Sequence, residues 1–123
     1  MIHQEWIVQQ IQMLTQFIAK LFFGKDFIEY QIADFENLSE TDRLFNKMND
    51  LLKKNKICEA ENLLFDSIDT SNRIYLELAV DFYERINRWN DAELEGANFS
   101  WDEVYSGLVD IMQKFGIPNI TQT

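Results

Sequence analysis

The residues with the types to do chemistry are few: His3, Cys58 and an acidic run, Glu77, Asp81 and Glu84. A metal centre needs several convergent His, Cys, Asp or Glu donors. Glu77, Asp81 and Glu84 share one helix face. However, Arg73, Arg85 and Arg88 make opposite-charge pairs with them at a separation of four, and such pairs describe a solvated, ion-paired face. The Glu-x-x-His spacing of di-iron bundles is absent, and no metal is expected. Cys58 opens a helix, where a thiolate would be favoured, but a nucleophile needs a base, and the only His lies more than fifty residues away. A buried or half-buried structural thiol is the expectation. Gly-rich phosphate loops are missing, and no Asp/Glu pair stands in an apolar setting that would raise one of them as a general acid. No catalytic residue, no cofactor and no enzyme activity are expected.

The elements that would position these groups are helical. The chain of 123 residues has the length of one domain, with 46% hydrophobic residues to fill a core and only 4 Gly and 1 Pro to interrupt it. Residues 2 to 23 read as one helix about 33 Å long, ended by Gly24 in a left-handed cap. Ile7, Ile11, Leu14, Ile18 and Leu21 form its apolar stripe, widened by Trp6, Phe17 and Phe22. The opposite stripe, Glu5, Gln9, Gln12, Gln16 and Lys20, is almost uncharged. Membrane-surface helices carry many Lys or Arg there, so a core or dimer helix is the better reading. Residues 27 to 38 fit neither helical nor strand period and should pack as an irregular strip or short helical turn. Further helices are expected from Ser39 to about Lys54, at 57–69, at 72–89, at 91–96 and at 101–115. Ser39/Asp42, Asn90/Glu93 and Ser100/Glu103 are their capping pairs. The 72–89 helix is apolar around most of its circumference and should be the central element. Gly116 and Pro118 close the last helix, leaving residues 1–116 as a single helical domain and 117–123 as a polar, frayed tail.

The net charge of −10 disfavours nucleic acid and anionic membranes, and Lys53, Lys54 and Lys56 are explained as cations at a helix C-terminus. One cysteine excludes an intramolecular disulfide, and the N-terminal segment lacks the basic start of a signal peptide and the apolar continuity of a membrane span. A cytoplasmic protein is expected.

The stretch from Leu51 to Phe65 reads as a helical hairpin turning at Asn55-Lys56, with small Ala60 at the crossing, in the manner of a tetratricopeptide unit. No repeat recurs near 34 residues, so the terminal helices must cover the hairpin. The fold class expected is all-α, a small bundle of about five main helices around one tetratricopeptide-like hairpin. Trp6-Ile7 with Gln10-Ile11, the block from Leu21 to Asp26, CEAENLLFD at 58–66 and the segment from Leu78 to Leu108 together resemble a family of small helical proteins of unknown function from Firmicutes, with tetratricopeptide-like character. The resemblance implies an all-helical bacterial cytoplasmic protein and brings no activity, cofactor or site residue.

The aromatic inventory remains. Trp and Tyr are enriched at interfaces, and Trp6, Tyr83, Trp89 and Trp101 are the candidate interaction surface. Trp101 leads, because it falls at the first turn of the last helix and off its apolar stripe. The functional expectation is a non-enzymatic protein–protein interaction module or homo-oligomeric scaffold, possessing a groove along the central helix and a protein partner or a second copy to fill it. The alternatives are a small-ligand or catalytic pocket between helices, and peripheral membrane association through residues 2–23.

Overall fold

A computed structural model of the protein describes residues 2–120, with side chains from Gln4 onward; the His3 side chain and the last three residues of the tail lie outside what is described. Every regular element among the described residues is helical: α1 (Ile2–Ile18) continuing into a π-helical turn (Ala19–Phe23), α2 (Glu40–Lys53), α3 (Ile57–Ser67), α4 (Arg73–Asn87), α5 (Asp91–Gly96) and α6 (Trp101–Lys114). No helix among them is long and apolar enough to cross a membrane. All three capping boxes form, with Ser39, Asn90 and Ser100 each accepting from the amide three residues on. The α2–α3 hairpin turns where expected, because Asn55 takes the left-handed conformation (φ 60°) that Asn tolerates better than most side chains.

Helices α1, α4 and α6 pack on one another, and the hairpin leans on them through α2 against α4. Ile7, Ile11, Leu14 and Ile18 of α1 meet Leu76, Ala79, Val80 and Tyr83 of α4 and Val104, Leu108 and Ile111 of α6 in one core. Central α4 buries nine of its fifteen residues, as its all-round apolar character requires. Its burial also removes the groove anticipated along it, since little apolar surface of α4 beyond Ile74 is left exposed.

Three expectations are corrected. First, Leu21 is not core: it is 58% exposed, while Phe22 and Phe23 are half-buried. An α-helix would carry 21 and 22 onto the face of 14 and 18. The wider π turn advances each residue through a smaller angle, which leaves Leu21 outside and brings its two successors inward. Second, the acidic face of α4 is not simply solvated. Residues 28–32, without helix or strand of their own, lie over it and run antiparallel to the helix. The Ile28 N–H donates to Glu84 (3.2 Å) and the Tyr30 N–H to Asp81 (3.1 Å). Asp81 is buried and also pairs with Arg85 at 3.0 Å. A backbone with no helix or sheet of its own must find partners elsewhere, and these carboxylates supply them. Tyr30 anchors the strap, its hydroxyl donating to Asp42 at 2.6 Å and lying 2.8 Å from the Thr41 hydroxyl. Third, the tail is packed as far as it is described. Ile117 is buried, its amide bonded to the Met112 carbonyl at 2.8 Å, and Asn119 donates to the Tyr105 hydroxyl.

Candidate functional site

Two places on this frame hold more than structural packing needs. The first is the outer face of α1. Trp6, Met13, Phe17 and Leu21 recur at seven, four and four residues, so they form a line along one side of the helix. Trp6 is 51% exposed, Met13 46%, and Ile120 from the tail, which approaches this face, 47%. Met13, Gln16, Phe17, Lys20, Asp26 and Ile120 line a cleft of about 570 Å³ beside it. Lys20 and Asp26 form an exposed ion pair of 2.9 Å at the rim. From Gln4 to Phe23 the only ionisable side chains are Glu5 and Lys20, so this helical segment carries no net charge on a chain of net −10, with Asp26 the further charge at its rim. The π turn is part of the construction, because it sets Leu21 in line with Met13 and Phe17.

The second place is a cleft of about 400 Å³ between α3 and α6, lined by Glu61, Phe65, Asp102, Glu103, Gly107 and Asp110 among others. Beneath the cleft the fully buried Tyr83 of α4 donates its hydroxyl to Glu61 Oε2 at 2.5 Å. Gly107 admits this pair: a Cβ there would stand 2.2 Å from Glu61 Oε2 and 2.3 Å from the Tyr83 hydroxyl oxygen. Burial raises the Glu61 carboxyl above its ordinary value of 4.5. The Tyr83 hydrogen bond opposes that shift, and the carboxylates of Glu103 and Asp110 add to it. The Tyr83 phenol is pushed well up by its burial and by Glu61. Of this pair only Glu61 lines the cleft, while Tyr83 is fully buried behind it. Although four acids line the cleft, no three His, Cys, Asp or Glu side chains among the described residues converge closely enough to hold a metal ion.

The raised Glu61 couples stability to pH. A carboxyl with a folded-state pKa above its unfolded one binds more protons when folded. It therefore favours the fold at low pH, and that contribution is lost as pH rises from about 4.5 through the folded value. Glu61→Gln keeps an acceptor for Tyr83 and removes the charge facing Glu103 and Asp110. Denaturation midpoints at pH 5 and pH 7 should differ less in this variant than in the wild type. Asp81 and Glu84, both also raised by burial, keep the residual slope. An unchanged slope would show that Glu61 titrates as an ordinary surface acid.

The four candidate aromatics separate. Trp6 is exposed and belongs to the α1 face; Trp89 is half-buried against the core. Tyr83 and Trp101 are corrected to core residues, at 0% and 7% exposure. Trp101 points back over α5 and its indole N–H donates to Asp91 at 2.8 Å, so the short preceding helix covers a side chain that the stripe of α6 alone leaves outside. Cys58 is likewise corrected: it is exposed. Partial screening from water and then Glu103, Glu61 and Glu59 raise its thiol pKa, the opposite of an activated thiolate. Met13, Leu21 and Glu61 were missed as site residues. Met13 could have been found by extending a line from Trp6 at helical spacing, whereas the π turn and the cross-helix contact of Glu61 leave no local signal.

The chain belongs to a family of unknown function (DUF6483), whose model matches residues 1–116. No curated protein and no solved structure matches it.

Proposed function

We propose that this member of a family without assigned activity is a non-enzymatic helical scaffold that works by self-association through the outer face of α1. The observation that carries this reading is the exposed Trp6, Met13 and Leu21, with half-buried Phe17 in line with them and exposed Ile120 beside them, on a helical segment (residues 4–23) without net charge. Exposed apolar area of this kind drives association when it is contiguous and rimmed by polar groups. Here Gln9, Gln12 and Gln16 are the rim, able to hydrogen-bond a partner without the desolvation cost of charges. The α2–α3 hairpin, with Ala60 buried at its crossing, supports the finer reading of a tetratricopeptide-like unit serving as a rigid support rather than a catalyst. The acidic charge and lone cysteine suit a bacterial cytoplasm.

Leu21→Glu tests this. Leu21 is exposed, so the folded chain should keep its helical signal and melting temperature within about 0.5 kcal/mol of stability. Burying a carboxylate at an apolar interface should shift the self-association midpoint upward about tenfold or more. Persistence of the same assembly in Leu21→Glu would contradict the assignment to this face.

A second reading, a ligand-binding or catalytic pocket, is favoured by one observation, the Glu61–Tyr83 pair beneath the α3–α6 cleft. Chemical-shift changes confined to this cleft on titration with small amines or sugars, and absent in Glu61→Gln, would turn the assignment in its favour.

A further inference from the structure

We infer that the occupant of the α1 face is a second copy of the same chain, laid antiparallel about a two-fold axis near Met13. This rests on the self-association reading above and adds the orientation and register. The only two charges from Gln4 to Phe23, Glu5 and Lys20, sit near opposite ends of the helix and carry opposite signs. On a helical projection both fall on the flank that also carries Gln9, Gln12 and Gln16.

A two-fold axis perpendicular to the helix maps a flank onto the same side of the interface with its direction reversed, so each residue meets one from the other end of the segment. With the axis near Met13, Glu5 of one copy meets Lys20 of the second and Gln9 meets Gln16, each pair occurring twice. Along the apolar line, Met13 meets itself and Trp6 meets Leu21. A parallel two-fold pairing would send the two copies of this flank to opposite sides of the interface, leaving Glu5 and Lys20 without an opposite charge across it. Flanking charges of this kind set orientation in paired helices more than they set affinity.

The rest of the molecule favours the same choice. A chain of net −10 repels its own copy over most of its surface, and the α1 face is where two copies meet without like charges opposed. Lys20 already has Asp26 at 2.9 Å, but that pair is exposed on both sides and leaves the ammonium accessible to a second carboxylate.

Charge exchange tests the register. Glu5→Lys sets two lysines together at both ends of the pair, and Lys20→Glu sets two glutamates together. Each single variant should dissociate about tenfold more readily than wild type in sedimentation velocity at low salt. Mixed in equal amounts, the two variants restore opposite charges at both ends. The heterodimer should recover the wild-type midpoint, as should the chain carrying both substitutions. Failure of both restorations would overturn the antiparallel register. So would single variants that associate as tightly as wild type, the outcome for parallel helices, in which these flank charges do not face each other. If Leu21→Glu still dissociates the assembly while restoration fails, self-association through this face stands and only the register falls. A wild-type monomer that co-sediments with lipid vesicles would overturn both.

Discussion

Gly107→Ala is expected to lower stability by about 1–3 kcal/mol, a fall of roughly 4–12 °C in melting temperature for a chain of this size. The sign runs against helix propensity, which favours alanine over glycine inside a helix by about 0.5–1 kcal/mol. Propensity loses here because the added methyl would lie 2.2 Å from a Glu61 oxygen and 2.3 Å from the Tyr83 hydroxyl oxygen, with the Tyr83 ring carbon 2.8 Å away. Tyr83 of α4 is fully buried and cannot swing aside, so α6 must draw away from α3 and α4. Gly96→Ala in α5 is the control: nothing lies within 4 Å of its new methyl, and it should be neutral or slightly stabilising. Equal melting temperatures for the two variants would contradict the tight seam.

Asp81→Ala is expected to cost about 2–3 kcal/mol, less than the ~3–5 of breaking a fully buried ion pair, because Arg85 is about a third exposed and can rehydrate. Burial, with a smaller push from Glu29, raises the Asp81 carboxyl; Arg85 and the Tyr30 amide draw it back without cancelling the shift. The substitution leaves the Tyr30 amide without its acceptor inside the protein, and that unmet donor is the larger part of the loss. Amide hydrogen exchange over residues 28–32 should accelerate well beyond the change in global stability, since the strap has no helix or sheet bonds of its own and is held by this bond, the Glu84 bond, the Tyr30 side chain and the packing of Ile28 and Ile32. If exchange in the strap changed only in proportion to global stability, the strap would be part of the cooperative core rather than a pinned segment. Asp81→Asn, which retains an acceptor, should be the milder variant.

The fold was largely legible because its signals are local. Capping boxes, Gly24, Asn55 and the apolar spacing of α1, α2, α4 and α6 each act within one or two turns, and all are where the sequence places them. What escaped is non-local. The i,i+4 charges on α4 look the same whether water or a strap covers them, and only tertiary placement brings Ile28 and Tyr30 to Glu84 and Asp81. Leu21 was misread because apolar spacing presumes the α-helical angle, while a π turn changes that angle without any breaker residue to announce it. Trp101 was placed outside because the stripe of α6 was read without α5 over it. Of the four aromatic residues named only Trp6 is mainly exposed, because Tyr83 and Trp101 fill the core, and the exposed residues in line with it, Met13 and Leu21, are aliphatic.

The most direct measurement is the solution mass of the wild-type chain by size exclusion with light scattering, over a wide concentration range. Self-association through α1 requires a mass twice the 14.6 kDa of the chain at high concentration, falling toward the monomer on dilution. A mass of 14.6 kDa at every concentration would contradict it.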